Sequence, residues 1–216
     1  TCLVLFSTFS FTTAQTNYSL SFDGVDDFIQ SQNNIQLSGN DTKSLFVRFK
    51  FTEEPIGIQY VAGWGWNGDG AQPGNQNFSI ASAPQDNSDL YSENNNLMMW
   101  GVGVANVTDI PFNYFLNPGD WCEALVTHDG SELKIYVNGV QETAYATDNR
   151  STAGSLNYVN AAEPQNIGAD TSNPFYGEMS HVQMVDGAQL APTEFGEVDA
   201  TSGMWKIKTT AYATPG

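Results

Sequence analysis

Apolar and polar residues alternate along the middle of the chain, between Trp121 and Val140. The apolar positions in its second half are Leu133, Ile135 and Val137, with Lys134 and Tyr136 between them. This is the period of a strand with one face on a core. Asp129-Gly130 and Asn138-Gly139 interrupt the pattern. Because such dipeptides supply the positive φ angles of tight turns, three antiparallel strands are predicted near residues 121–128, 132–137 and 140–146.

Short apolar runs on both sides of this stretch predict further strands. They lie near residues 18–22, 28–29, 47–51, 60–64, 78–80, 97–104, 165–168 and 176–185. Only residues 191–195 suggest a helical turn, with Thr193 as its cap. Many short strands separated by turn signals indicate an all-β, two-sheet antiparallel sandwich.

The two ends of the chain differ from the rest. Residues 1–15 hold a short apolar run followed by small residues around Ala14, which is typical of a secretory signal peptide that lacks its start. Residues 16–196 form the predicted domain. Residues 197–216 are expected to be a tail that is truncated from a longer protein. We therefore expect a secreted or surface-exposed location and a place in a longer multidomain chain. The alternative for residues 1–15 is a first buried strand.

The charge of the chain restricts its partners. There are 24 acidic and 7 basic residues among 216, a formal net charge of −17. Nucleic acid binding needs Lys and Arg to neutralise phosphates, so it is not expected. Insertion into a membrane is not expected either, since the apolar run near the start is too short to span one. If residues 1–15 are removed, Cys122 is the one remaining cysteine and no intrachain disulfide can form.

Three motifs resemble one family, in its order. They are Leu20-Ser-Phe-Asp-Gly-Val-Asp-Asp-Phe28, the stretch from Trp121 to Gly139, and Asn166-Ile-Gly-Ala-Asp170 with the segment up to Leu190. The chain resembles the laminin G-like, concanavalin A-like jelly rolls of lectins and glucanases. This resemblance implies two antiparallel sheets of six or seven strands. Such domains serve as lectins, adhesins, receptor modules and appendages of glycosidases, so the fold alone does not decide the function. The segment from Val185 to Lys206 is also similar to the tail of a variant found in marine virus and bacteriophage structural proteins.

A glycine-rich loop carries the candidate ligand site. Its ligand-binding candidates are Trp64, Trp66, Asn67 and Asp69, together with Tyr176 from the loop before the last long strand. Aromatic faces and amide or carboxylate groups are what sugar recognition requires. Strand alternation also favours a core position for Trp64, as it does for Trp100 and Trp121. In the family, Phe175 packs in the core, which leaves Tyr176 for a ligand.

The resemblance also implies a calcium site. Pentraxins share the fold and bind calcium after the glycine of a closing strand, where this chain has Asp170. Asn75 stands where the family's other ligands arise. The chain has fewer acids than pentraxins at this position, so one weak site using Asp170 with Asn75 or Asp69 is the expectation. Asp23, Asp26 and Asp27 are interpreted as turn residues that bond their own backbone, although such a cluster could hold an ion.

Catalytic signals are missing from the sequence. The Glu-x-Asp-x-x-Glu run of the related glucanases does not occur, and His128 and His181 are interpreted as structural. The sequence therefore predicts a non-catalytic domain that binds carbohydrate or glycoprotein. The alternative is a structural or protein-adhesion module of a larger bacterial surface or virion protein. A glycoside hydrolase, or a domain appended to one, is the third reading.

Overall fold

A computed structural model describes residues 18–32, 35–36, 42–55, 57–64, 77–83, 96–103, 107–112, 117–143, 162–169 and 173–208. The strands are β1 (Leu20–Asp23), β2 (Ile29–Gln30), β3 (Ile35–Gln36), β4 (Lys43–Phe51), β5 (Tyr60–Trp64), β6 (Asn77–Ala83), β7 (Asn96–Gly103), β8 (Val107–Phe112), β9 (Cys122–His128), β10 (Leu133–Val137), β11 (Val140–Gln141), β12 (Ala162–Glu163), β13 (Gln165–Ile167), β14 (Tyr176–Asp186), β15 (Gly196–Val198) and β16 (Trp205–Ile207). One helical turn, α1 (Pro192–Phe195), precedes β15.

The strands form two six-stranded antiparallel sheets. Sheet A has the order β1-β14-β4-β9-β10-β11, and sheet B has the order β2-β13-β5-β6-β7-β8. Two small pairs, β3 with β12 and β15 with β16, accompany them. The predicted fold class, an all-β antiparallel sandwich, is confirmed.

The core lies between the sheets and follows the alternation in the sequence. In β10, Leu133, Ile135 and Val137 are buried while the residues between them are half-buried. The same inner face of sheet A carries Leu45, Val47, Phe49, Phe51, Ala124, Val126 and Met179, and sheet B contributes Ala62, Trp64, Phe78, Ile80 and Leu97. Burying each large apolar side chain stabilises the fold by roughly 1.5–3 kcal/mol. The predicted core position of Phe175 is also correct, since it is fully buried among Phe22, Phe49 and Phe51.

The hairpin turn between β10 and β11 is the one that the sequence predicts. Asn138 and Gly139 both have positive φ, 48° and 79°. The Asn138 side chain also accepts a hydrogen bond from the Glu123 backbone N–H at 2.9 Å, and the Asn138 N–H donates to the Glu123 carbonyl at 2.8 Å. The turn is therefore fastened to the neighbouring strand as well as to its own hairpin.

The outer face of sheet A is covered, which the sequence analysis missed. All seven residues of β9 are buried, including Glu123, Leu125 and Thr127 on the side away from the core. The cover is α1 with the β15–β16 hairpin, and most of this hairpin comes from the residues assigned to a tail, 197–216. Phe195 stacks on Phe46 with ring centroids 4.4 Å apart, and Leu190, Tyr136 and Ile207 complete this second cluster.

Several smaller expectations differ from the structure. The sequence analysis did not predict β8. Thr193 does not cap α1, because the helix starts at Pro192 after Ala191 and no side chain caps it. Trp121 is not a core residue: the Arg48 guanidinium lies 4.4 Å from its ring centroid, on the outer face of sheet A. The side chain of Trp100 lies outside the described residues, so its core position stays a prediction.

Candidate functional site

The sandwich has two ends, which strand direction defines. At one end, called the Trp64 end, Trp64 pairs with Phe78 and Gln165. At the other, called the Tyr176 end, Tyr176 pairs with Asp23, and the Tyr60 N–H donates to the Asn173 carbonyl at 2.9 Å. Tyr60 and Trp64 are the two ends of β5, about 13 Å apart at about 3.3 Å per strand residue.

Trp64 belongs to the core rather than to an open site. Its side chain is 2% exposed, and its ring lies 5.9 Å from that of Phe78. Of the two interpretations, burial supports the core position, and Trp64 does not present its indole face to a ligand. Its buried Nε1–H has no hydrogen-bond partner among the described residues.

Polar side chains lie at the foot of the connection that follows Trp64. Gln30 is exposed, and its amide donates to the Asn166 side chain at 2.9 Å. Ser31 and Gln165 exchange two hydrogen bonds of 2.9 Å, from the Ser31 N–H to the Gln165 carbonyl and from the Gln165 N–H to the Ser31 hydroxyl. The sequence analysis did not select these residues. The only sequence feature that points to Gln30 is its position directly after the apolar Phe28-Ile29 run.

Gly63 has a packing role. A Cβ atom there would lie 2.3 Å from the Ser79 Cβ and 2.6 Å from the Tyr60 hydroxyl. The glycine therefore lets β5 and β6 carry these side chains close together, on the row that also contains Asn166. This close packing explains the glycine at position 63 without a ligand nearby.

The other candidate residues of the loop lie outside the described residues. Trp66, Asn67, Asp69 and Asn75 fall in the connection between β5 and β6, and Asp170 falls between Ala169 and Asn173. Their assignment as ligand or metal residues stays a prediction.

Strand direction nevertheless separates these candidates into two groups. The β5–β6 connection begins and ends at the Trp64 end, whereas Ala169 and Asn173 flank Asp170 at the Tyr176 end. The calcium site of Asp170 with Asn75 or Asp69 stays a prediction, since all three residues lie outside the described ranges.

Tyr176 is half-buried at the far end from the predicted loop. Its N–H donates to the Gln59 side chain at 3.0 Å, and its carbonyl accepts from the Thr52 N–H at 3.1 Å. A Cβ atom at Gly24 would lie 2.8 Å from the Tyr176 Cβ, so this turn packs closely on the tyrosine. Tyr176 does not share a ligand with Trp64, and its own contact with a ligand stays a prediction.

Two of the three aspartates beside this turn, Asp23 and Asp27, accept hydrogen bonds from the backbone of the turn, as predicted. Asp23 accepts from the Val25 N–H at 2.8 Å, and Asp27 accepts from the Asp23 N–H at 3.0 Å. Oxygens of Asp23, Asp26 and Asp27 lie within 4.8 Å of one another and are exposed. Turn formation accounts for this arrangement.

The histidines hold structural positions. His128 is fully buried, and its Nδ1 accepts from the Gly130 N–H at 3.1 Å. His181 is half-buried, and burial, followed by the nearby charge of Arg48, lowers its pKa. Both lie in strands that pair with β4, where His128 is opposite Lys43 and His181 is opposite Arg48.

A cluster of charged side chains lies on the outer face of sheet A, beneath the covering hairpin. The Trp205 indole N–H donates to Glu123, which also pairs with the Arg48 Nε at 3.4 Å. Burial raises the pKa of Glu123, and the indole and the Arg48 charge partly offset this. The hydrogen bond and the ion pair show that this carboxylate fastens the covering hairpin to the sheet.

No helix in the described part of the chain has the length and apolar character needed to cross a bilayer.

Two stacked antiparallel sheets with a mixed apolar core define a jelly-roll domain. The chain belongs to the concanavalin A-like lectin/glucanases superfamily, whose family model matches residues 22–193. The resemblance inferred from the sequence is thus confirmed.

Solved structures of the same fold are distant in sequence. A native heptameric SAP-like pentraxin from Limulus polyphemus is 17% identical, with a TM-score of 0.53 over 80% of this chain and 77% of that chain. Domain 4 of an extracellular arabinanase from Geobacillus stearothermophilus, solved with arabinotriose, is 16% identical, with a TM-score of 0.52 over 80% and 72%. A sialidase CBM40 domain from Ruminococcus gnavus, bound to sialyllactose, is 13% identical over 77% and 95%, and its TM-score of 0.46 is too low to support an argument. Curated protein sequences give no match.

Proposed function

We propose that this domain binds carbohydrate without converting it, at the Trp64 end of the sandwich. Membership of a superfamily of lectins and glucanases supports this class. The sequence places an aromatic residue, an amide and a carboxylate, Trp66, Asn67 and Asp69, in the connection that starts there. These are the groups that stack on a sugar ring and bond its hydroxyls.

The observation that carries the proposal is the exposed Gln30 amide at the foot of this connection. Its nitrogen is held by Asn166 at 2.9 Å, which fixes the orientation of its carbonyl oxygen, an acceptor with no hydrogen bond to the described residues. A preoriented acceptor loses little conformational entropy when it bonds a hydroxyl. Neighbouring backbone is fixed too, through the Ser31–Gln165 pair of hydrogen bonds.

A glycan array with the full chain tests the proposal, followed by calorimetric titration of the best oligosaccharide. Arabinotriose belongs among the first probes, because the arabinanase domain of the same fold was solved with it. Each titration is run with calcium and with a chelator. Loss of binding on chelation would support the predicted calcium requirement, and unchanged binding would oppose it.

Variants then locate the site. Trp66→Ala is expected to weaken binding by roughly tenfold or more, as removal of an aromatic anchor does. Gln30→Ala should weaken it less. Val140→Ala is the control, because Val140 is exposed in β11, away from Gln30, and should leave affinity unchanged. Full affinity in Trp66→Ala, with folding intact, would reject the site. If no glycan binds, the alternative of a protein-adhesion module gains support.

A secreted or surface location is part of the same proposal and rests on the signal-like pattern of residues 1–15.

A further inference from the structure

An apolar cavity opens at the edge where β1 of sheet A faces β2 of sheet B. It has a volume of about 270 Å³, and its walls include Leu20, Phe22, Ile29, Ile167, Met179 and Val182. β1 and β2 are the outermost strands of their sheets. The cavity is therefore an open end of the core space between the sheets, far along the sheet order from β7 and β8.

Apolar side chains around the cavity are unusually exposed. Seven large apolar residues in the described part of the chain are exposed, and four of them fall between residues 18 and 28. They are Tyr18 (78%), Leu20 (56%), Val25 (74%) and Phe28 (49%). Tyr18 and Leu20 belong to the cavity walls, and exposed apolar side chains at a cavity are characteristic of an interaction site.

The chain continues from Phe22 of the cavity wall into a negatively charged turn. The turn from Asp23 to Asp27 joins β1 to β2, and it carries three exposed carboxylates. The basic side chains of the described residues are engaged elsewhere. Four form ion pairs: Arg48 with Glu123, Lys50 with Glu178, Lys134 with Glu132 and Lys206 with Asp199. Lys43 is buried, and Lys208 donates to the Thr193 carbonyl. None of these cations neutralises the turn, so a partner that brings positive charge would be favoured there.

The chemistry of the walls excludes other occupants. A sugar needs several polar groups, whereas the polar groups of the cavity walls are the hydroxyls of Tyr18, Ser19 and Ser180, of which that of Ser19 already donates to Glu178. An anionic lipid surface would be repelled by the carboxylates. Addition of a full strand to β1 is hindered, because Asp27 already accepts the Asp23 N–H at 3.0 Å.

We propose that this edge is a docking site for a protein segment that inserts one apolar side chain into the cavity and places Lys or Arg against the Asp23–Asp27 turn. The apolar anchor supplies most of the affinity, since it is the group that becomes fully desolvated. The exposed ion pairs add selectivity and a dependence on salt. The cavity residue Ile29 and the carbohydrate candidate Gln30 are neighbours in β2, and strand alternation places their side chains on opposite faces of the strand.

A random linear peptide library, displayed on phage and selected against the full chain, tests this proposal. The expected result is enrichment of peptides in which an apolar residue lies within a few positions of Lys or Arg. The best peptide is then synthesised, and its affinity is measured by titration at low and at high salt. Weaker binding at high salt is expected. Selection of no such pattern, or affinity that does not depend on salt, would overturn the proposal.

Matched variants of the chain locate the docking site. Leu20→Asp should weaken the peptide roughly tenfold or more, and Asp26→Asn roughly two- to fivefold. Val140→Asp and Asp186→Asn are the controls, since both residues are exposed and lie away from this edge. Leu20 and Asp26 are exposed, so both variants are expected to fold, which a thermal melt verifies. Equal affinity in Leu20→Asp and the wild type would reject the cavity as the docking site.

Discussion

Two apolar surfaces of this domain differ in their exposure to solvent. The outer face of sheet A carries Phe46, Leu125 and Tyr136, and α1 with the β15–β16 hairpin covers them. The β1–β2 edge carries Tyr18 and Leu20, which stay exposed.

The difference shows where this chain extends the shared fold. The family match ends at residue 193, and the covering hairpin follows it, from Gly196 to Ile207. The hairpin adds a third layer over sheet A, so that β9 is buried on both faces. At the β1–β2 edge, no described segment of the chain covers the apolar side chains. The covered face should therefore contribute to stability and the open edge to binding.

Removing the centre of the cover should have the largest effect. Phe195 is 3% exposed and stacks on Phe46 with an interplanar angle of 2°. Phe195→Ala is expected to lower the free energy of unfolding by about 3–5 kcal/mol, because it leaves a cavity in a packed cluster. Chemical denaturation monitored by tryptophan fluorescence measures this change.

Tyr18→Ala at the open edge is the matched control for Phe195→Ala. An exposed aromatic residue should change stability by no more than about 0.5 kcal/mol. If the two variants were equally stable, the hairpin would not be a folded part of the domain.

Close packing of Trp205 on the turn after β10 gives the second test. Gly139 has a φ of +79°, and a Cβ atom there would lie 2.7 Å from the Trp205 ring. Gly139→Ala therefore has two costs, a left-handed backbone conformation of about 1 kcal/mol and overpacking of about 1–3 kcal/mol. The free energy of unfolding should fall by the sum.

Gly119→Ala separates these two costs. Gly119 has a similar φ of +86°, but nothing lies within 4 Å of its Cβ position. It should lose only the conformational part. Equal losses in both variants would mean that Trp205 does not press on Gly139 in solution.

The fold was largely predictable because its information is local. Alternation in β10 and the Asn138-Gly139 turn each depend on a few neighbouring residues, and both are confirmed. The covering hairpin was not predicted, since its two strands have three residues each and show no repeat. Trp121 was assigned wrongly for a related reason: its partner, Arg48, is distant in the sequence and becomes a neighbour only through the β4–β9 ladder.

The site was less predictable than the fold. Residue types in the Trp66 loop indicate a chemistry, but only strand pairing decides which loops share an end. Tyr176 lies at the end opposite Trp64, because its N–H donates to the side chain of Gln59, which directly precedes β5. Gln30 was missed because its significance depends on Asn166, which it meets across the β2–β13 pair.

The smallest predicted effect is a difference in pH dependence between carboxylates of the two surfaces. Burial raises the pKa of Glu123 beneath the hairpin, whereas hydrogen bonds from Ser19 and Lys50 lower the pKa of Glu178 beside β1. A raised pKa in the folded state means that protonation favours folding, so the contribution of Glu123 is full below its unfolded pKa and is lost as pH rises through its folded pKa. The contribution of Glu178 has the opposite sign, and it is lost as pH falls through its folded pKa.

Glu123→Gln and Glu178→Gln make this difference measurable. We expect the wild type to gain stability relative to Glu123→Gln when the pH is lowered from 7 to about 4, and to lose stability relative to Glu178→Gln over the same range. Denaturant titrations at both pH values give the two differences. The Glu178 effect should be the smaller, since that carboxylate is solvent-exposed and screened. If both differences had the same sign, Glu123 would not be desolvated by the hairpin, and the covered face would be open to water like the edge.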